Sequence, residues 1–316
     1  MLRIASIGEC MIELSESAAD AGTPGGRMQR TFGGDTLNTA VYLARCLKQA
    51  GRQGAAEVHA EVHYVTALGD DPFSAEMLAA WQDEGVQTRL VSRLPGRLPG
   101  LYVIRTDAAG ERSFHYWRSA AAARELLRDG QAAGLAEGLA GFDLVYLSAI
   151  TLGILDADSR ERLFTLLDAL RGTGCRIAFD SNYRPRLWAS RAEAQAAVTR
   201  VLGLASLALP TFDDEAALFG DADAAATARR LHDLGVEEVA VKCGAEPCLV
   251  SRSGEPAVRV AVERRVQPVD TTAAGDSFNA AYLAARLTGA EPAAAAAEGH
   301  RLAARVIAAK GAIIPA

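Results

Sequence analysis

Asp270-Thr271-Thr272-Ala273-Ala274-Gly275-Asp276-Ser277-Phe278 is the stretch on which the reading of this chain turns. It follows an alternating β-branched stretch, Val258 to Val269, and leads into an Ala-rich helical stretch, Asn279 to Leu287. The pattern predicts a strand, a tight small-residue turn and a helix start. Such a turn leaves backbone N–H groups without intrahelical partners, with the positive end of the helix dipole behind them. That makes a ready site for phosphate or a developing anion. Asp276 sits within it. A carboxylate there is costly unless it takes part in chemistry, and its natural task is to take a proton from a hydroxyl that attacks phosphate. Read alone, the segment fits a capped helix start equally well, since Asp is a favoured N-cap residue.

Outward from this turn, apolar β-type runs alternate with helical stretches. Strands are predicted at Leu2–Ile7, Val62–Ala67, Leu144–Ser148, Arg176–Asp180, Leu207–Leu209 and Glu238–Lys242. Helices are predicted at Thr36–Ala50, Phe73–Glu84, Ser159–Arg171, Arg191–Leu202, Asp213–Phe219, Ala222–Leu234 and Ala293–Ala309. The alternation argues for an α/β fold with a mostly parallel sheet covered by helices on both faces. Ligands of such sheets bind beyond the carboxyl ends of the strands. Two regions break the pattern, about 10–33 and 98–118. The second has Gly100–Thr106 and Arg112–Trp117 flanking the turn Asp107-Ala108-Ala109-Gly110, which reads as a hairpin. Together they are expected to form a small β lid over the main sheet. No linker-like stretch divides the chain, so residues 1–316 are read as a single domain.

The chain carries 33 Lys and Arg against 39 Asp and Glu, a net charge of -6, so no nucleic-acid surface is expected. Half the residues are hydrophobic, enough for a sizeable core. The first eight residues read as a buried strand rather than a secretory signal. No run approaches the roughly 18 apolar residues of a membrane span, so no membrane partner is expected. Cys10, Cys46, Cys175, Cys243 and Cys248 are odd in number, scattered and without a Cys-x-x-Cys pair. Reduced thiols, a cytoplasmic location and no bound zinc follow as expectations. The five His are likewise dispersed and offer no metal cluster.

A second glycine-rich start stands early in the chain: Phe32-Gly33-Gly34-Asp35-Thr36-Leu37-Asn38. Paired glycines let a ligand approach the backbone, and Asn38 lies where it can hydrogen-bond a polyol. Taken with the Asp270–Asp276 turn, in this order and separation, the two segments resemble the two signatures of the ribokinase-like sugar kinases, the PfkB family. The likeness runs through nearly the whole chain. Within the family it is most similar to members acting on 2-keto-3-deoxy sugar acids, through Gly8-Glu9-Cys10-Met11-Ile12-Glu13, Tyr116-Trp117-Arg118, Asn182-Tyr183-Arg184-Pro185 and the ending Gly311-Ala312-Ile313-Ile314-Pro315.

The resemblance implies a ribokinase-like three-layer sandwich and transfer of the ATP γ-phosphoryl group to the terminal hydroxyl of 2-keto-3-deoxygluconate. Asp276 would be the general base, with the amides of Ala273, Ala274, Gly275 and Asp276 as the anion hole. Ala273 departs from the glycine usual at its position. Gly33, Gly34, Asn38, Tyr102, Tyr116, Arg118 and Arg184 would hold the sugar acid. A guanidinium suits the carboxylate, which it can grip with paired charge-assisted bonds. Asn182, Arg184, Thr211, Lys242, Gly244, Ala273, Ala274, Gly275 and His300 would lie on the ATP side. Asp214 matches an acidic position that organises Mg²⁺ through water, so no direct metal ligand is assigned. Asp270 and Thr272 match part of a site for a monovalent cation such as K⁺. The edges of the lid are where a second copy of the chain would pair.

The chain has no Gly-x-x-x-x-Gly-Lys-Ser/Thr loop, no Gly-x-Gly-x-x-Gly after its first strand and no Gly-x-Ser-x-Gly elbow. Phosphoryl transfer at the Ala273–Asp276 turn is therefore the coherent chemistry. A kinase of a neutral sugar or a nucleoside, and a non-catalytic sugar or nucleotide sensor, are the alternatives at this level.

Overall fold

The computed structural model of the chain describes residues 1–16, 26–52, 59–106, 112–128 and 131–315. In chain order, β1 (Leu2–Ile7), β2 (Met11–Glu16) and β3 (Met28–Gly33) precede α1 (Asp35–Arg52). Then come β4 (Ala60–Leu68), α2 (Pro72–Asp83), the short β5 (Val86–Gln87) and β6 (Val91–Arg93), β7 (Leu101–Thr106) and β8 (Arg112–Trp117). They are followed by α3 (Gln131–Gly138), β9 (Leu144–Ser148), α4 (Ala149–Ile154), α5 (Ala157–Gly172), β10 (Arg176–Asp180) and α6 (Arg191–Leu202). The chain continues through β11 (Leu207–Ala208), α7 (Phe212–Phe219), α8 (Ala224–Asp233), β12 (Glu238–Cys243), β13 (Glu246–Arg252) and β14 (Val258–Val260). It ends with α9 (Ala274–Leu287) and α10 (Pro292–Ile307).

The main sheet runs β14-β13-β12-β11-β10-β9-β1-β4-β5, with β6 also paired to β4. Its pairs are parallel from β12 through β5, and antiparallel at β12/β13 and β13/β14. Successive strand residues alternate between two cores. Ile4, Leu144, Tyr146 and Ala178 pack with Leu37, Val41, Phe278, Tyr282 and Val306 of α1, α9 and α10. Ala5, Val145, Leu147, Ile177 and Phe179 pack with Leu163, Leu167, Val198, Leu218 and Leu231 of α5 to α8. Both faces are therefore covered, and the strand runs read as near-continuous apolar stretches. Local caps set the helix starts, as where Asp71 accepts from the amides of Phe73 and Ser74 ahead of Pro72.

A separate four-stranded sheet runs β3-β2-β7-β8. β2 pairs antiparallel with β3 and parallel with β7, and β7 pairs antiparallel with β8 as expected of hairpin arms. The turn Asp107–Gly110 and most of the Gly/Pro-rich segment before β3 lie outside the described residues. Among the described residues no helix is long and apolar enough to cross a membrane.

Two expectations around the signature stretch need correction. The strand expected over Val258–Val269 stops at Val260, at the edge of the sheet. The run Glu263-Arg264-Arg265 breaks its alternation, and Pro268 has no N–H to donate. The turn is therefore reached from an irregular segment. The following helix begins at Ala274, five positions before the expected Asn279.

Candidate active site

Ala273 is the N-cap of α9, with φ 60 and ψ 17, and makes no side-chain capping bond. That left-handed backbone is disfavoured for any residue with a Cβ. It folds the chain back so that the Ala274 amide donates to the Thr271 carbonyl at 3.2 Å. Among the described residues the amides of Ala273, Gly275 and Asp276 have no recorded acceptor. One of the four expected anion-hole donors is thus already engaged, and three remain.

Asp276 lies in the first turn of α9 but does not cap it. Its Oδ2 accepts from Asn38 Nδ2 at 2.8 Å, bringing the two glycine-rich signatures together. Burial pushes its carboxyl up to about 7, the nearby Asp35 adds to this, and the Asn38 bond works against it. Asp35 begins α1 and accepts from Asn182 Nδ2 at 2.7 Å. Burial raises its carboxyl too, against bonds from Ser148 and Asn182. Asn182 has φ 22, a further positive value beside the site.

Beneath the turn lies a buried polar cluster at the carboxyl ends of β10 and β12. Lys242 Nζ donates to Asp180 Oδ2 at 3.0 Å and to Asn279 Oδ1 at 2.9 Å. Asn279, one turn after Asp276, donates to Asp180 Oδ2 at 2.7 Å and to the Tyr146 hydroxyl at 3.1 Å.

On the side of the smaller sheet, Tyr102 of β7 donates to Glu13 Oε2, and Thr31 donates to Glu13 Oε1 at 3.0 Å. Tyr116 lies 5.8 Å from Tyr102, ring to ring, and is half exposed. Arg118, just after β8, is ion-paired with Glu9, which is 2% exposed. Burial raises the Glu9 carboxyl, and Arg118 pulls it back. Gly33 and Gly34 have packing reasons of their own. A Cβ on Gly34 would lie 2.1 Å from the Glu9 carbonyl oxygen, and one on Gly33 would lie 2.5 Å from the Tyr102 hydroxyl.

The profile of the pfkB family carbohydrate kinases matches residues 1–316. The chain belongs to the pfkB family. It is similar to the 2-dehydro-3-deoxygluconokinase of Escherichia coli K12, with 51% identity over 318 residues, 99% of this chain and 97% of that protein. Its fold matches the solved 2-dehydro-3-deoxygluconokinase of Thermotoga maritima at TM-score 0.81 and 19% identity, covering 99% of this chain and 94% of that one. It also matches an E. coli protein of the Ribokinase II type, solved in complex with ATP and Mg²⁺, at TM-score 0.80 and 21% identity over 99% of this chain and 94% of that one.

On the expected nucleotide side of this pfkB-family chain, Arg184 is exposed and lies 3.5 Å from Asp214 Oδ1. Burial lifts the Asp214 carboxyl to about 6, against the pull of Arg184. Thr211 is the N-cap of α7 and bridges to Lys242 along the sheet. Gly244 has φ 60 in the tight turn between β12 and β13, which alone accounts for a glycine. His300 is buried, edge-on to Phe278 at 5.2 Å, with Nε2 3.2 Å from the Val260 carbonyl. That placement differs from a helix-surface histidine. Asp270 accepts from the Thr272 hydroxyl at 2.6 Å and from the Gly311 amide at 2.9 Å, tying the turn to the C-terminal segment.

Among the described residues no group of three or more His, Cys, Asp or Glu could hold a metal ion by itself. A cleft of about 380 Å³ opens at the amino ends of the strands, lined by Glu238, Arg252 and Arg286 among others. It lies at the opposite end of the sheet from Asp276. Sequence reasoning passed over Glu9, Glu13, Asp35, Asp180 and Asn279 as site residues. Asp35 and Asp180 carried a signal, one inside the glycine-rich start and the other at the end of a predicted strand.

Proposed function

We propose that this chain transfers the γ-phosphoryl group of ATP to the terminal hydroxyl of 2-keto-3-deoxygluconate. The observation that carries the reading is the Asp276 carboxylate in the first turn of α9, held by Asn38 and flanked by uncommitted amides. With its carboxyl pushed up to about 7, Asp276 is basic enough to take the hydroxyl proton as attack begins. The amides of Ala273, Gly275 and Asp276 then receive the charge that grows on the transferring group. The similarity to E. coli 2-dehydro-3-deoxygluconokinase supports the acceptor, and the solved ATP and Mg²⁺ complex supports the donor and its ion. Mg²⁺ bound to the ATP phosphates would neutralise part of their charge. Asp214 is suited to hold it through water, since its carboxylate meets Arg184 only at 3.5 Å.

Arg184 and Arg118 are read as the partners of the sugar-acid carboxylate, with Tyr102, Tyr116, Gly33 and Gly34 around the sugar. Thr211, Gly244, Asn182 and His300 are read as forming the surroundings of the nucleotide, with Lys242 beneath the signature turn. The small sheet would act as a lid that excludes water during transfer. Residues 1–316 would work as one domain, a second copy would pair along the lid edges, and K⁺ would sit by Asp270 and Thr272. One observation favours a neutral acceptor instead: Glu9 already neutralises Arg118.

A coupled ADP-release assay with Mg-ATP tests the reading, using 2-keto-3-deoxygluconate, 2-keto-3-deoxygalactonate, gluconate, fructose, ribose and adenosine. Preference for the keto-deoxy acids is expected. Preference for fructose, ribose or adenosine would overturn the substrate assignment. ATP-induced thermal shifts without ADP production would point to a sensor.

A further inference from the structure

Lys242 is expected from its likeness to the family to lie under ATP, but its ammonium is occupied elsewhere. The residue is 7% exposed. Two of its three donors go to Asp180 Oδ2 and Asn279 Oδ1. The third has no recorded acceptor among the described residues. Directly over it runs the backbone of the signature turn: a Cβ built on Gly275 would lie 3.6 Å from Nζ and 4.0 Å from Cε. A buried ion pair of this kind is weak support for stability, because an apolar pair of similar size usually does as well. Nor does Asp180 need Lys242 as its only partner, since Asn279 also donates to it. The placement makes sense if positive charge is wanted under Gly275.

We propose that Lys242, locked between Asp180 and Asn279 beneath the Gly275 backbone, is a positioning residue that lends positive charge to the anion hole from below and does not contact the nucleotide. The inference rests on the reading of Ala273–Asp276 as the place of phosphoryl transfer. The amides of Gly275 and Asp276 have no acceptor in the protein among the described residues, and an ammonium beneath them would strengthen the field they offer an anion without itself contacting it. The same charge acts on Asp276. The groups facing that carboxylate are Asn38, Tyr42 and Asp35 from α1, Tyr146 from β9, Asp180 from β10 and Lys242 from β12. Lys242 is the cation of this set. Its removal leaves carboxylates facing Asp276 and raises the proton affinity of the base.

The test compares wild type, Lys242→Met, the double variant Asp180→Asn/Lys242→Met, and Asp276→Asn, reading kcat, KM for ATP, and the pH profile of kcat/KM. The double variant leaves no lone buried charge and carries the test if Lys242→Met fails to fold. The expected result is a kcat about 100-fold down in Lys242→Met and at least about tenfold down in the double variant. KM for ATP should stay within about threefold of wild type, and the acid limb of Lys242→Met should move to higher pH. A raised KM for ATP with kcat unchanged would overturn the inference in favour of a direct nucleotide contact. Wild-type kcat in the double variant would overturn it in favour of a purely structural pair. Full turnover in Asp276→Asn would instead bring down the reading of the turn itself.

Discussion

As the proposed base, Asp276 would serve catalysis and stability with opposite sign. Its carboxyl is raised from 3.8 to about 7 by burial and by Asp35. As a base it must be ionised, so kcat/KM for the sugar acid should fall with unit slope as pH drops through about 7. A flat profile between about pH 5 and 7 would contradict the assignment. The stability sign runs the other way. The folded state holds the proton more tightly than the unfolded state, so stability from this group is present at low pH and lost as pH rises through about 7. Asp276→Asn should therefore lose about 10² to 10⁴ in turnover yet melt higher than wild type at pH 8, with the gap narrowing toward pH 5. Three residues earlier, Ala273 holds φ 60. Ala273→Gly relieves a left-handed strain of about 1 to 2 kcal/mol but gives the unfolded chain about 0.4 to 1 kcal/mol more freedom. The unfolding free energy, read by denaturant titration, should thus rise by no more than about 1.6 kcal/mol.

At the scale of elements, the smaller sheet is joined to the main sheet by an ion pair as well as by the chain. Arg118 follows β8, while Glu9 follows β1, and the pair closes where Gly34 and Gly100 leave room for Glu9. Arg118→Ala leaves Glu9 buried without its cation, which should cost about 3 kcal/mol in addition to any loss of substrate affinity. Glu9→Gln/Arg118→Met should recover most of that stability, read by thermal melting, while KM for the sugar acid stays raised. Recovery of KM as well would mean that Arg118 does not grip the acceptor. This pair was not legible in the sequence, because a partner 109 positions away leaves no local pattern. Six strands of the main sheet, β1, β4, β9, β10, β11 and β12, were legible to within two residues, since runs such as Leu144–Ser148 and Arg176–Asp180 are short and apolar, whereas β5, β6 and β13 were not anticipated. The approach to the signature turn was not. Valines at 258, 260, 262, 266 and 269 keep a strand-like composition, but Val258–Val260 is an edge with only β13 to pair with, and charge and Pro268 end it. Asp276 and Asn38 were found separately, and only folding shows them bonded.

Across the whole molecule, α9 and β12 are tied at both ends. At the amino end of α9, near Asp276, Asn279 meets Lys242 of β12 at 2.9 Å. At the other end, Glu238, the first residue of β12, accepts from Arg286 Nε and Nη2 at 2.8 Å each and from the Tyr282 hydroxyl at 2.8 Å. The helix thus carries the proposed base, Asp276, on its first turn and the Arg286 anchor on its last, about 15 Å apart along the helix axis. The anchor forms part of the cleft wall, and its guanidinium and carboxylate are already satisfied by one another. Arg286→Leu should then act on stability alone. It leaves Glu238 buried with only Tyr282 and a 3.5 Å approach from Arg252, a loss of about 3 kcal/mol. The active-site end keeps its own tie, so kcat and both KM values should stay within about twofold of wild type well below the melting midpoint. Glu238→Gln/Arg286→Leu should return part of the stability, because the unpaired charge is gone. A kinetic defect in Arg286→Leu without a drop in melting temperature would show instead that the far end of α9 communicates with Asp276 along the helix.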